Sequence, residues 1–173
     1  IPELLKCVNM EVMGKQKIKT YSGGMKQRLL IAQAFLGDPK VVFMDEPTAG
    51  LDPKERIRIR NLISEMALGK IVLIATHIVS DVEYISKEIL LLKHGEMIGS
   101  GNPESLEKEL YGIVYEKKVT VEQLKEIQDK YLVAGIREEG NQVVVRYLDS
   151  KSDEETTVWP TLDDVYLYHF YKE

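Results

Sequence analysis

Asp45 and Glu46 stand side by side at the end of the apolar run "VVFM", and Pro47 follows them directly. Neighbouring residues of an extended chain point to opposite sides. One acid of such a pair can therefore face a hydrated Mg2+ while the other reaches an attacking water. Upstream, Ser22-Gly23-Gly24 opens a helical stretch. An anion can approach the bare backbone N–H groups there without interference from a Cβ, and the helix dipole adds positive potential at the same point. The Ser22 hydroxyl can be offered to a phosphate oxygen. His77 closes "IVLIATH" and has the chemistry to hydrogen-bond a terminal phosphate and a water. Asp52, heading "DPKE", is a helix cap whatever else it does. Taken singly, each has a plain structural alternative: a capped helix, a solvated acidic loop, an exposed histidine.

The elements that must position these residues are punctuated in the sequence. Residues 3–13 read as the end of a weakly amphipathic helix, followed by the basic loop "MGKQKIKT". A helix then runs through "YSGGMKQRLLIAQAF", capped by Ser22 and stopped at Gly37-Asp38-Pro39. "VVFM" is too short for a helix and apolar on both faces, which predicts a buried parallel strand. Asp52, Pro53 and Glu55 predict a helix start with a capping box, and Ile59, Leu62, Ile63 and Met66 form its inward stripe before Gly69. "KIVLIATH" is a second buried strand, "IVSDVEYIS" a short helix, and "EILLLKHGEMIGSG" two strands about a Gly turn. Strand, helix, strand, helix, strand implies parallel pairing with right-handed crossovers. Sheets of that kind place ligands at the carboxyl ends of their strands. Asp45, Glu46 and His77 all fall at such ends.

Beyond about Asn102 the texture changes. "GNPESLEKEL" reads as a capped helix, "GIVYEKKV" as a strand, and "TVEQLKEIQDK" as a helix with a Thr120/Gln123 capping box. "YLVAGIR" and "QVVVRYL" flank "EEGN" as a hairpin, "DSKSDEETT" is a charged loop, and "PTLDDVYLYHF" is a last helix capped by Thr161. Leu162, Val165 and Tyr166 are expected on its inner face. The fold class is thus α/β, with parallel central strands in residues 1–101 and a small βαββα-like appendage in residues 102–173 that packs without a ligand of its own.

Bulk properties agree with a globular chain. Of its 173 residues, 44% are apolar and 29% charged, and the net charge is −5. That balance carries no electrostatic footprint for nucleic acid or anionic lipid. With Cys7 the sole cysteine, no internal disulfide can form, which suits a reducing compartment. No apolar run approaches the ~18 residues of a membrane span.

"YSGGMKQR", then "VVFMDEPTAGLDP", then "TH", in this order and at these separations, resembles the ATP-binding cassette (ABC) family of P-loop ATPases. The resemblance covers residues 20 to about 100. It implies that Ser22, Gly23 and Gly24 are the signature motif, contacting the γ-phosphate of an ATP held mainly by a partner subunit. Asp45 looks like the Walker B aspartate that holds Mg2+ largely through water, Glu46 like the catalytic glutamate, and His77 like the switch histidine. Ala49-Gly50-Leu51-Asp52 looks like the D-loop at the dimer interface. Tyr21 stands where the family usually has Leu, and Met25 where Gln is usual, so any hydrogen bond from that amide is absent. "PTLDDVYLYHF" is similar to the tail of ATPase subunits of bacterial multidrug, antibiotic and sodium exporters.

No G-x-x-x-x-G-K-[ST] occurs anywhere in the chain. Gly14-Lys15 and Gly69-Lys70 lack the earlier Gly and the following Ser or Thr. The expectation is the C-terminal portion of a longer ATPase, inactive alone, whose Walker A and Q-loop lie upstream. The resemblance implies that the full-length protein hydrolyses ATP in a homo- or heterodimer, peripheral on the cytoplasmic face of the membrane, and drives a transmembrane permease subunit without contacting nucleic acid. Two alternatives stand beside it: a soluble ABC ATPase acting on nucleic acid or the ribosome, and a non-catalytic interaction fragment.

Overall fold

The computed structural model describes residues 1–149 and 157–171, so most of the expected charged loop 149–157 lies outside the described residues. The chain divides into two compact units, residues 1–85 and 86–173. The boundary expected from composition fell at 101/102; the "EILLLKHGEMIGSG" segment instead packs within the second unit.

In the first unit, α1 (Pro2–Cys7) is shorter than the helix expected over 3–13, and the basic loop ends in a 3-10 turn, Ile18–Thr20. Helix α2 (Gly23–Ala34) begins at Ser22, whose Oγ accepts from the Met25 N–H at 3.2 Å. Past its end, Gly37 and Asp38 both take left-handed backbone conformations and reverse the chain. Strand β1 (Val41–Asp45) pairs in parallel with β2 (Ile71–Ala75), Val41 opposite Ile71 and Asp45 opposite Ala75, with α3 (Pro53–Met66) as the crossover. Asp52 caps α3, its Oδ1 accepting from the Glu55 N–H at 2.9 Å. The expected capping box does not form, because the Glu55 carboxylate turns to Arg58 and Arg28. Ile59, Leu62 and Ile63 are buried as expected, and Met66 packs at the margin.

The two strands are not buried on both faces. Val42 and Met44 enter the core formed with Val8, Ile31, Phe35 and Ile59, whereas Phe43 on the other face is 75% exposed and Val41, Ile71 and Leu73 are also exposed. Helices cover one side of the pair only. Short apolar runs carry no information on how many layers pack over them. The segment expected as a third parallel strand pairs differently: β3 (Ile89–Lys93) runs antiparallel to β4 (Glu96–Gly101), and these residues form a hairpin in the second unit. His94 and Gly95 both have positive φ, the two-residue turn whose twist matches an antiparallel ribbon. That local turn outweighs the alternation of strand and helix as a guide to pairing.

The rest of the second unit is α5 (Pro103–Glu109), β5 (Val114–Val119), α6 (Val121–Lys130), β6 (Leu132–Glu139), β7 (Gln142–Leu148) and α7 (Leu162–Phe170). The antiparallel sheet has the order β5-β7-β6, so the Val-rich β7 is central, and Val145 is fully buried among Tyr115, Val119, Ile127 and Tyr147. The Thr120/Gln123 capping box forms on α6, and Thr161 makes another with Asp164 on α7. Leu162 and Val165 are buried, but Tyr166 is exposed and stacks on Phe170 one turn later. Asp164 takes the inward position instead, held there by Arg146.

Candidate functional site

Asp45 ends β1 with an exposed side chain. Its neighbour Glu46 leaves the strand at φ 44, a left-handed conformation that few L side chains adopt, while its N–H still donates to the Ala75 carbonyl at 2.8 Å. This kink swings the Glu46 carboxylate over the end of β2. Oε1 accepts the His77 backbone N–H at 3.0 Å and lies 2.6 Å from His77 Nδ1, and Oε2 accepts the Thr76 hydroxyl at 2.9 Å. Burial pushes the Glu46 carboxyl upward, but the hydrogen bonds from His77 and Thr76 outweigh it and hold the group below the usual carboxylate range. The ionised carboxylate is an acceptor only, so His77 Nδ1 donates to it, while most of the imidazole is exposed. A carboxylate offers about four acceptor positions. Three are taken here, which leaves room for one further donor such as a water.

A second cluster sits at the start of α2. Gly24 is buried, and a Cβ there would meet Glu55 Oε2 at 2.7 Å, with the rest of that carboxyl arm at 3.2 Å. Glu55, in the first turn of α3 behind Asp52, also reaches Arg28 at 3.5 Å. The signature segment is thus seated on the helix that Asp52 caps. At Gly23 a Cβ would meet nothing within 4 Å, so that backbone is open to an approaching anion. The two glycines are therefore separable by substitution. Gly24→Ala is expected to push the flexible Glu55 arm aside at a net cost of less than about 1 kcal/mol, because the helix propensity of alanine offsets part of it, read as a slightly lowered thermal midpoint. Gly23→Ala should shift it by only a few tenths of a kcal/mol.

The sites read from the sequence therefore form two groups: Asp45, Glu46 and His77 at the strand ends, and Ser22, Gly23, Gly24 and Asp52 at the helix starts. The two unusual residues have structural partners. The Tyr21 hydroxyl donates to the Met13 carbonyl at 2.7 Å, and Met25 packs against the core. Sequence reasoning missed Thr76, whose position next to His77 was the available signal. It also missed Thr48, Arg60 and Asp81, which come together from three separate segments and carry no local sign.

Comparison with known proteins followed the same lines. Residues 1–49 match the family model described as ABC transporter. ABC transporter A family member 8 of Dictyostelium discoideum is 36% identical over 129 residues, 75% of this chain and 15% of that protein. Nod factor export ATP-binding protein I of Rhizobium johnstonii is 39% identical over 113 residues, 65% of this chain and 36% of the relative. The chain therefore spans well under half the length of these relatives. Among solved structures, cbiO1 from Clostridium perfringens, part of the ABC transporter complex cbiONQ, superposes with a TM-score of 0.57 at 31% identity, over 74% of this chain and 47% of that one. A parallel strand ending in adjacent acids, a glycine-floored helix start and these matches converge: the chain is similar to ABC transporter ATP-binding proteins and carries part of an ABC-type ATPase domain.

Proposed function

We propose that the chain supplies the signature, water-activating and switch residues of an ATP-hydrolysing subunit in an exporter-type ABC transporter. The observation that carries this reading is the Glu46 carboxylate, kinked out of β1 and held against His77 and Thr76 at the carboxyl ends of two parallel strands. In this reading Glu46 orients the attacking water and receives its proton. His77, locked as the Nδ1–H tautomer by Glu46, presents Nε2 toward the water and terminal phosphate. Ser22, Gly23 and Gly24 meet the γ-phosphate of an ATP held mainly by a second ATPase subunit, identical or not, and Asp52 lies in the loop that crosses between the two. Phosphoryl transfer of this kind needs positioning and charge stabilisation above all.

Among the described residues no group of three or more His, Cys, Asp or Glu could hold a metal. One exposed carboxylate, Asp45, fits a hydrated Mg2+, which takes one or two carboxylates with waters and phosphates; it does not fit a metal caged by protein. Bound there, Mg2+ would neutralise phosphate charge.

The similarity to a Nod factor export ATP-binding protein supports the exporter assignment. No helix among the described residues is long and apolar enough to cross a membrane. In this reading a transmembrane permease subunit provides the path, with the ATPase peripheral on its cytoplasmic side. The chain alone has no Walker A sequence to cradle phosphates. Calorimetry with Mg-ATP should therefore detect no micromolar binding to it, while the full-length subunit binds and hydrolyses ATP. Micromolar affinity in the chain alone would contradict its inactivity, and a full-length subunit without ATPase activity would contradict the whole reading.

A further inference from the structure

Thr48 and Asp81 are the buried polar side chains of the first unit among its described residues, 1% and 2% exposed, and they meet: the Thr48 hydroxyl donates to Asp81 Oδ2. Thr48 lies two residues beyond Glu46, and Asp81 four beyond His77, in α4 (Val79–Ile85). Arg60 of α3 joins them. Its Nη1 stands 3.5 Å from Asp81 Oδ1 and donates to the Ser80 carbonyl at 2.9 Å, and its guanidinium lies 4.8 Å over the Tyr84 ring. A desolvated ion pair is weak evidence for stability, since apolar residues of similar volume would often serve as well. Its better-attested use is to select one arrangement of the segments it joins. Here those segments are the loop that carries Glu46 and the helix that begins just after His77.

We propose that Thr48, Asp81 and Arg60 form a positioning clamp that holds Glu46 and His77 in their hydrogen-bonded pairing. The left-handed backbone at Glu46 needs surroundings that over-determine it. Pro47 is buried and Thr48 is tied to Asp81, so the two residues after the kink cannot relax. Across the pair, Arg60 fixes the start of α4 through Ser80 and so limits where His77 can move. The clamp acts through the segments that carry Glu46 and His77. Its effect on turnover rests on the proposed role of Glu46, whereas its effect on the Glu46–His77 contact does not.

The test uses the full-length ATPase subunit with Thr48→Val and Thr48→Ser. Valine removes the hydroxyl at nearly constant shape; serine retains it. Thr48→Val should lower kcat at least tenfold with the KM for ATP within twofold, and Thr48→Ser should stay within twofold of wild type in both. A second readout is the 15N NMR signal of the His77 ring, assigned by its loss in His77→Gln. The signal should move to that of a water-exposed imidazole in Thr48→Val and stay in place in Thr48→Ser. An unmoved ring signal in Thr48→Val, equal losses in the two variants, or a KM rising in step with the fall in kcat would overturn the clamp. Wild-type protein without ATPase activity would instead sink the hydrolytic reading and leave the ring signal to judge the clamp. Should Thr48→Val not fold, Asp81→Asn takes its place; the same pattern is expected, and unchanged kcat and ring signal overturn the proposal.

Discussion

Glu46→Gln in the full-length subunit is expected to reduce kcat for ATP hydrolysis by about 10²–10⁴, with ATP affinity within about threefold of wild type. Glutamine keeps the length of the arm and one acceptor oxygen, so it can satisfy Thr76 or His77, but it cannot accept a proton from water. The contacts that hold phosphate lie elsewhere: at Ser22, Gly23 and Gly24 in the proposed assembly, and in a cradle this sequence does not contain. Binding and chemistry should therefore separate cleanly. Single-turnover hydrolysis beside equilibrium ATP titration measures both. A kcat within tenfold of wild type would remove Glu46 from the water-activating role. Because the carboxyl is held below the usual range, Glu46 is ionised throughout neutral pH. The stabilisation it draws from His77 and Thr76 is fully present above the ordinary carboxylate pKa and is lost as pH falls through the depressed value.

Arg146→Leu is expected to destabilise the second unit by about 3–5 kcal/mol. Arg146 contacts Asp164 through Nε at 3.1 Å and through Nη2, Glu116 through Nη1 at 3.3 Å, and the Trp159 carbonyl through Nη2 at 2.8 Å. Asp164 is 1% exposed. Without the guanidinium, its charge remains buried with, among the described residues, the Thr161 N–H and hydroxyl for company, at 2.8 and 2.9 Å. The hydrogen bond to Asp164 holds the Arg146 pKa above its ordinary value. Glu116 is held below its own, first by its hydrogen bond to Arg137, then against burial by Arg146. Acid should therefore weaken this unit: the Glu116 contribution is complete above the ordinary carboxylate pKa and disappears as pH drops through the lowered one. Trp159, the only tryptophan, lies in this unit and reports its denaturant unfolding by fluorescence. The double variant Arg146→Leu/Asp164→Asn should recover much of the loss, because the buried charge is gone while the amide oxygen can still cap α7. No recovery would show that packing of the arginine stem, rather than charge, dominates.

The residues proposed to act on nucleotide are legible in the sequence, for a physical reason. Their positions are dictated by local rules: Ser22 and Asp52 cap helices through N–H groups three residues away, and Asp45 and Glu46 sit where an apolar run must stop. The same holds for the Thr120/Gln123 box and the βαββα order of the appendage. What failed were inferences about layers and partners. Phe43 and Val42 are equally apolar in the sequence, yet one faces the core and the other solvent. The "EILLL" segment has the composition of a parallel strand but closes a hairpin, because His94-Gly95 can turn in two residues. Tyr166 was expected inward and Asp164 was not, since only Arg146, from a strand 18 positions earlier, makes a buried carboxylate tolerable.

The sequence by itself determined which chemistry is available and which short segments present it, since caps, kinks and strand ends act over a few neighbouring residues. Only the tertiary structure decided that His77, 31 positions from Glu46, meets one oxygen of its carboxylate through both its backbone N–H and its ring, and that Thr48, Arg60 and Asp81 come together. Such meetings depend on how helices and strands fold back on one another, and that geometry is set by long-range packing to which no single stretch of residues holds the key.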